Sequence, residues 1–186
     1  MARRYDENSG MKNRRIGAAL AVSILLPASG CGVLNRLAGQ QGYTIPNEAM
    51  APTINAGDHV TGRLTDGEYL PRAGDIITFK APDTWTRGQA GKILISRVIG
   101  VPGVAVSCCD SANRLILNGR PLDEPYVADE FSAPSRFSPV TVPPGRLWVQ
   151  GDNRGKALDS RAYRTSPGGG TIPVANVVSV IEISEK

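Results

Sequence analysis

"KILISRVIGVPGVAVSC", residues 92–108, holds two runs rich in Val, Ile and Leu on either side of a Val-Pro-Gly turn signal. Short runs of this kind, bounded by Gly and Pro, are typical of β strands. Similar runs recur at 75–81, 114–119, 146–151 and 174–183. They predict one mainly antiparallel β domain over residues 43–186, sandwich- or barrel-like in form. The predicted loops cover 82–91, 120–140 and 162–173.

The composition fits one globular domain with an additional N-terminal segment. Of 186 residues, 41% are hydrophobic and 20% charged, and the 21 Gly and 14 Pro suit a fold rich in turns. The formal net charge is +4, but residues 1–15 contain five basic and two acidic side chains and so account for most of it. The rest of the chain is nearly neutral, which argues against nucleic acid as a partner.

The basic tail, residues 1–15, leads into "IGAALAVSILLPASGCGVL", residues 16–34, which has no charged side chain. Its apolar part is short for a membrane span, and Pro27 would kink a longer helix. "ASGC" at 28–31 resembles a lipobox, in which Cys31 would be lipidated. We therefore keep a lipoprotein signal and an uncleaved anchor as alternatives, with complete secretion as a third. Residues 35–42 are interpreted as a connector.

Metal and cofactor sites are not expected. The chain has three cysteines, of which Cys108 and Cys109 are adjacent, and His59 is its one histidine. No Cys-x-x-Cys pair or His cluster offers the ligands of a structural metal. We expect Cys108 and Cys109 to form a local bridge or to remain free, without a catalytic role.

Five blocks, in order along the chain, resemble the type I signal peptidases, the membrane-bound serine proteases that remove signal peptides from exported proteins. The blocks are "IPNEAMAPTI" (45–54), "AGDIITFKAP" (73–82), "ISRVIGVPG" (95–103), "LNGRPLDEPY" (117–126) and "GDNRGKALDSR" (151–161). This resemblance implies a signal-peptidase-type antiparallel β domain on the extracytoplasmic side of the cytoplasmic membrane. The basic residues before the hydrophobic segment indicate the same orientation.

The resemblance also implies where the catalytic groups should be. The family uses a serine nucleophile, activated by a lysine amine that burial keeps uncharged. The nucleophile position, before the Met of the first block, is Ala49, and the base position, before the Arg of the third block, is Ser96. The serine that orients the lysine corresponds to Ala157. All three catalytic side chains are absent, which indicates a natural pseudoenzyme.

Part of the substrate-binding machinery is retained in the sequence. Asn47 stands at the family's oxyanion-hole serine, so its amide and the backbone N–H of Ala49 could hold a peptide carbonyl; alternatively, Asn47 caps a turn. Residues at the family's shallow substrate pockets are Ile45, Pro46, Met50 and Ile95, which could equally belong to the core. Charged residues expected to form ion pairs behind the site are Asp152, Arg154, Asp159 and Arg161.

These features favour a membrane-attached, inactive signal peptidase homologue that binds signal peptides, other extended peptides or a partner signal peptidase. A first alternative is an active type I signal peptidase, either of the ordinary kind or with a relocated dyad in which Ser96 is the nucleophile and Lys156 the base. A second alternative is a surface lipoprotein, attached through Cys31, in which the fold has an unrelated interaction role.

Overall fold

The computed structural model describes residues 39–67, 69–89, 91–127 and 136–183. The basic tail, the hydrophobic segment with Cys31 and the first half of the connector, residues 35–38, lie outside these ranges. Within them, no helix has the length and apolar character needed to cross a bilayer.

The larger sheet has seven antiparallel strands in the order β1-β2-β11-β3-β4-β9-β10. Their bounds are β1 Gln40–Thr44, β2 His59–Leu64, β3 Ile76–Lys80, β4 Ile93–Gly100, β9 Arg146–Gln150, β10 Ile172–Pro173 and β11 Val177–Ile181. The central strands β3, β4 and β9 are buried over most of their length, as their apolar runs require. Mainly β architecture, as predicted, is confirmed.

The smaller sheet has four antiparallel strands in the order β7-β6-β5-β8. Their bounds are β5 Ala105–Cys108, β6 Leu115–Leu117, β7 Arg120–Pro121 and β8 Phe137–Thr141. A disulfide joins Cys108, the last residue of β5, to Cys109. The turn at 101–104 carries the chain from the larger sheet into the smaller one.

Several strands lie where the sequence suggested loops or a connector. The predicted loop 120–140 contains β7 and all but the last residue of β8, the predicted loop 162–173 contains β10, and β1 takes in residues 40–42 of the connector. These strands are short or largely exposed, so they lack the continuous apolar run by which β3, β4 and β9 are recognised. Pairing with a neighbouring strand, rather than local composition, determines their conformation.

Three buried apolar clusters hold the sheets together. One lies on the face of the larger sheet formed by Phe79, Val98 and Val149, and a second surrounds Met50. The third joins the two sheets, because Trp148 of β9 packs against Val106 of β5. Trp148 also stacks on a ring of β8, Phe137, at a centroid distance of 5.2 Å.

A bidentate ion pair connects β4 to the segment that follows β9. Nε of Arg97 donates to Oδ1 of Asp152 at 2.8 Å, and Nη2 donates to Oδ2 at 2.6 Å. Both side chains are buried, and Thr53 donates a further hydrogen bond to the same carboxylate. The Arg97 guanidinium lies 3.9 Å from the centre of the Tyr126 ring. Burial, reinforced by the nearby Glu124 charge, raises the pKa of Tyr126 well above its ordinary value.

Two more buried ion pairs extend this network. Arg154 binds both carboxylate oxygens of Glu124 and donates from Nε to the carbonyl of Gly151 at 3.0 Å. Burial opposes the charge of Arg154, but the Glu124 hydrogen bond and charge outweigh it and raise the pKa of the guanidinium. Arg161 pairs with Asp159 through both Nε and Nη2. Asp152 and Arg154 therefore take partners from distant segments, whereas Asp159 and Arg161 pair locally.

We predict that Gly100→Ala lowers the free energy of unfolding by roughly 1–3 kcal/mol, because overpacking a buried site forces its neighbours apart. A Cβ at Gly100 would lie 2.7 Å from the Val106 side chain and 3.0 Å from that of Val142. The control is Gly42→Ala on β1, where a Cβ meets no atom within 4 Å. Urea unfolding of the full chain in detergent, followed by tryptophan fluorescence, measures both. Equal stabilities for the two variants would contradict the prediction.

We predict that Asp152→Asn lowers the free energy of unfolding by about 3–5 kcal/mol, because it leaves the Arg97 charge buried without a carboxylate. Glu182→Gln is the matched control, since it breaks the ion pair with Arg63 at the surface. The side chains of Arg63 and Glu182 are 59% and 69% exposed. An exposed pair contributes about 1 kcal/mol or less. The same unfolding experiment applies, and a loss at Asp152 no larger than at Glu182 would show that the buried pair does not support the fold.

Candidate functional site

A cavity of about 500 Å³ lies beside the first half of β4. Four segments enclose it: the turn after β1, the loop after β3, the start of β4 and the loop after β9. Its lining residues are Pro46, Asn47, Ala49, Trp85, Thr86, Lys92, Ile93, Leu94, Ile95, Ser96, Lys156, Ala157, Leu158 and Tyr163.

Ala49, Ser96 and Ala157 all line this cavity, although they come from three separate segments. Ser96 is 4% exposed, and among the described residues its hydroxyl makes no hydrogen bond. The turn that carries Ala49 lies close to the loop that carries Ala157. The Asn153 N–H of this loop donates to the Ala49 carbonyl at 3.1 Å, and any Cβ at Gly151 would overlap the same carbonyl oxygen. Glycine at 151 therefore lets the two loops approach closely.

Asn47 and the backbone N–H of Ala49 bond to each other. The Ala49 N–H donates to Oδ1 of Asn47 at 3.1 Å, which forms an Asx turn. This is the turn-capping arrangement that the sequence left open as an alternative. A peptide carbonyl would have to displace Oδ1 to reach this N–H, whereas Nδ2 of Asn47 makes no hydrogen bond within the described residues and is available as a donor.

Lys156 and Ser96 share the cavity but make no hydrogen bond with each other in the described structure. Nζ of Lys156 forms an ion pair with Glu48, and the Lys156 side chain is 62% exposed. A lysine that acts as a base has to be uncharged, which burial among apolar groups favours. The exposed, carboxylate-paired position of Lys156 provides the opposite surroundings.

The four residues proposed to line substrate pockets divide into two pairs. Pro46 and Ile95 line the cavity. Ile45 and Met50 instead lie in the second core cluster, with Ile76 of β3, and are almost fully buried. They support the turn at 46–49 from beneath, because their side chains fill the space between this turn and the larger sheet.

Two aromatic side chains that line the cavity, Trp85 and Tyr163, are not predicted from the sequence. The rings of Trp85 and Tyr163 stack with centroids 4.5 Å apart, and the Tyr163 hydroxyl donates to the Trp85 carbonyl at 2.8 Å. The two residues belong to segments that were both interpreted as loops and are 78 positions apart. An aromatic residue within each loop was the available signal, but only the fold brings the two together.

One edge of β4 is open along the cavity. β4 pairs with β3 from Ile93 to Arg97, whereas its pairing with β9 on the other side begins at Arg97. Among the described strands, none covers residues 93–96 on that side. The unpaired backbone groups of such an edge can bind an extended peptide as an additional strand.

The described ranges contain no group of three or more His, Cys, Asp or Glu side chains that could hold a metal ion. His59 begins β2 and does not line the cavity, nor do Cys108 and Cys109. The buried pairs of Asp152 and Asp159 lie behind the cavity, where Gly151 and Asn153 contact the Ala49 turn.

Comparison with known proteins places these observations in a family. The model of "Signal peptidase, peptidase S26" matches residues 18–184. Signal peptidase I of Mycobacterium tuberculosis is 37% identical over 181 residues, covering 73% of this chain and 61% of that protein. The probable signal peptidase I-1 of Synechocystis is 30% identical, covering 84% of this chain and 76% of that protein. A solved signal peptidase I from Enterococcus faecalis is 29% identical with a TM-score of 0.46, covering 61% of this chain and 98% of that chain.

The chain thus spans about three fifths of the length of the mycobacterial relative. The family match extends over both the described domain and part of the hydrophobic segment that precedes it. From the extent of this match and the identity to the mycobacterial and cyanobacterial relatives, the chain belongs to the signal peptidase family, peptidase S26.

Proposed function

We propose that this chain is a signal peptidase-like protein that binds extended peptides in the cavity beside β4 without cleaving them. The observation that carries the proposal is the meeting of Ala49, Ser96 and Ala157 in one cavity. Amide hydrolysis by a serine and lysine requires a hydroxyl and an uncharged amine in contact. At these positions the chain offers a methyl group, a hydroxyl and a second methyl group.

Three features support retention of binding. The buried pair of Arg97 and Asp152 fixes β4 relative to the loop after β9. The edge at residues 93–96 is open to an added strand. The Nδ2 group of Asn47 makes no hydrogen bond within the described residues, so a carbonyl can be bound there without being attacked. A ligand can thus be held by Asn47 and the β4 edge, although the nucleophile and the base are replaced.

A second candidate is an active peptidase with Ser96 as nucleophile and Lys156 as base. Its support is that both residues line the same cavity. The Ala49 N–H, the donor nearest to the family's reaction centre, would then have to serve a nucleophile located on a different strand. The amine of Lys156 also bonds to Glu48 and makes no hydrogen bond with Ser96 in the described structure. We therefore prefer binding without cleavage.

We further propose that the domain acts on the outer face of the cytoplasmic membrane, attached by the segment 16–34. Signal peptides, other extended peptides near the bilayer and a partner signal peptidase are the candidate ligands. Mass spectrometry of the purified protein distinguishes the two modes of attachment, since a diacylglyceryl group on Cys31 indicates a lipoprotein and an intact segment indicates an anchor.

We predict that the triple variant Ala49→Ser, Ser96→Lys, Ala157→Ser cleaves a preprotein that the unchanged chain leaves intact. A restored general base contributes about 10²-fold or more in rate. Adding Asn47→Ser should increase the rate further, because it frees the residue-49 N–H for the oxyanion. The measurement is cleavage of a labelled preprotein in detergent, with Ala49→Ser alone as the control that has a nucleophile but no base.

Two results would contradict the proposal. Cleavage by the unchanged chain that Ser96→Ala abolishes would establish the second candidate instead. A correctly folded triple variant that binds the preprotein but leaves it intact would show that the frame no longer aligns a substrate with these positions. Circular dichroism and unfolding of the variant establish whether it is folded.

A further inference from the structure

The floor of the cavity is uncharged and carries small side chains. Ala49 and Ala157 contribute methyl groups, and Ser96 contributes a short hydroxyl. The volume of about 500 Å³ lies in the range of cavities that enclose small organic molecules. A ligand side chain as small as a methyl group would leave most of this space unfilled, and unfilled apolar space forfeits dispersion contacts.

One wall and part of the rim of the cavity are apolar. The stacked rings of Trp85 and Tyr163 form one wall. At the rim, the side chains of Ile93 and Leu158 are 40% and 70% exposed, so they are free to contact a ligand. Burying such groups against an apolar ligand side chain is favourable in proportion to the area removed from water. This environment selects for a large apolar group.

The mouth of the cavity carries an unpaired positive charge. Lys92 lines the cavity and makes no ion pair with any described residue, whereas the other lysine at the mouth, Lys156, is paired with Glu48. Lys92 directly precedes β4 and bonds through its carbonyl to the N–H of Ala81 at 2.9 Å, so it extends the line of the strand, and it lines the cavity together with Ser96. Four extended residues span about 13 Å.

We propose that the preferred ligand is an extended peptide with a bulky apolar residue facing Ser96 and an acidic residue four positions away facing Lys92. The peptide runs along the open edge at 93–96, where the distance between its successive residues matches that of β4. This assignment rests on the proposed peptide-binding function and adds the chemistry of the ligand. Leucine, methionine or phenylalanine fits the apolar position, and aspartate or glutamate complements Lys92.

The test uses fluorescein-labelled nonapeptides of serine and threonine and the full chain in detergent micelles. One peptide carries leucine with aspartate four positions before it, and a second reverses their order, so that both directions along β4 are sampled. Counterparts replace leucine by alanine or aspartate by asparagine. For one of the two peptides that carry both leucine and aspartate, fluorescence anisotropy should give an affinity about tenfold or more above the affinity of its alanine counterpart. The advantage of aspartate over asparagine should shrink in high salt.

Three variants assign these preferences to residues. Ser96→Lys fills the cavity floor and should remove the advantage of leucine over alanine. Lys92→Ala should remove the advantage of aspartate over asparagine. Lys80→Ala is the matched control, because Lys80 is an exposed lysine at the end of β3 that does not line the cavity. It should leave both preferences unchanged.

The outcomes separate this inference from the proposed function. Equal affinities for the leucine and alanine peptides, with both bound, would overturn the inference and leave peptide binding in place. A leucine preference that persists in Ser96→Lys would also overturn it, since the group would then bind elsewhere. Failure of every peptide to bind the folded chain would contradict the inference and the proposed function together.

Discussion

The ion pair between Arg97 and Asp152 is the interaction on which the site depends most. It joins β4, which carries Ser96, to the loop that carries Ala157, and Thr53 connects the same carboxylate to the segment after Ala49. One buried carboxylate therefore fixes three of the four segments that enclose the cavity relative to one another. Removing two charges from water is costly, and the bidentate geometry together with the third hydrogen bond offsets that cost.

The position of this pair separates the frame of the cavity from the groups at the cavity surface. Neither Arg97 nor Asp152 would touch a reacting atom at residue 49, so their role is independent of whether a nucleophile is present. The same holds for Glu124 and Arg154, which connect the block at 117–126 to the loop after β9. A change from serine to alanine at 49 alters a group at the cavity surface and leaves the ion pairs behind it intact.

The sequence predicts the strands that are rich in branched apolar residues, together with the grouping of residues 49, 96 and 157. Both follow from local pattern or from matching blocks. It does not predict β1 or β8, because these strands are defined by hydrogen bonds to distant partners rather than by their own composition. The contact of Trp85 with Tyr163 and the pairing of Lys156 with Glu48 escape prediction for the same reason, since each joins segments far apart in the chain.

The Asx turn at Asn47 has a consequence for substitutions at residue 49. Oδ1 of Asn47 already accepts the residue-49 N–H, so a serine introduced at 49 would have to share this N–H with the turn. The effect of a substitution at 49 therefore depends on the residue at 47, and the two positions are coupled through one backbone donor.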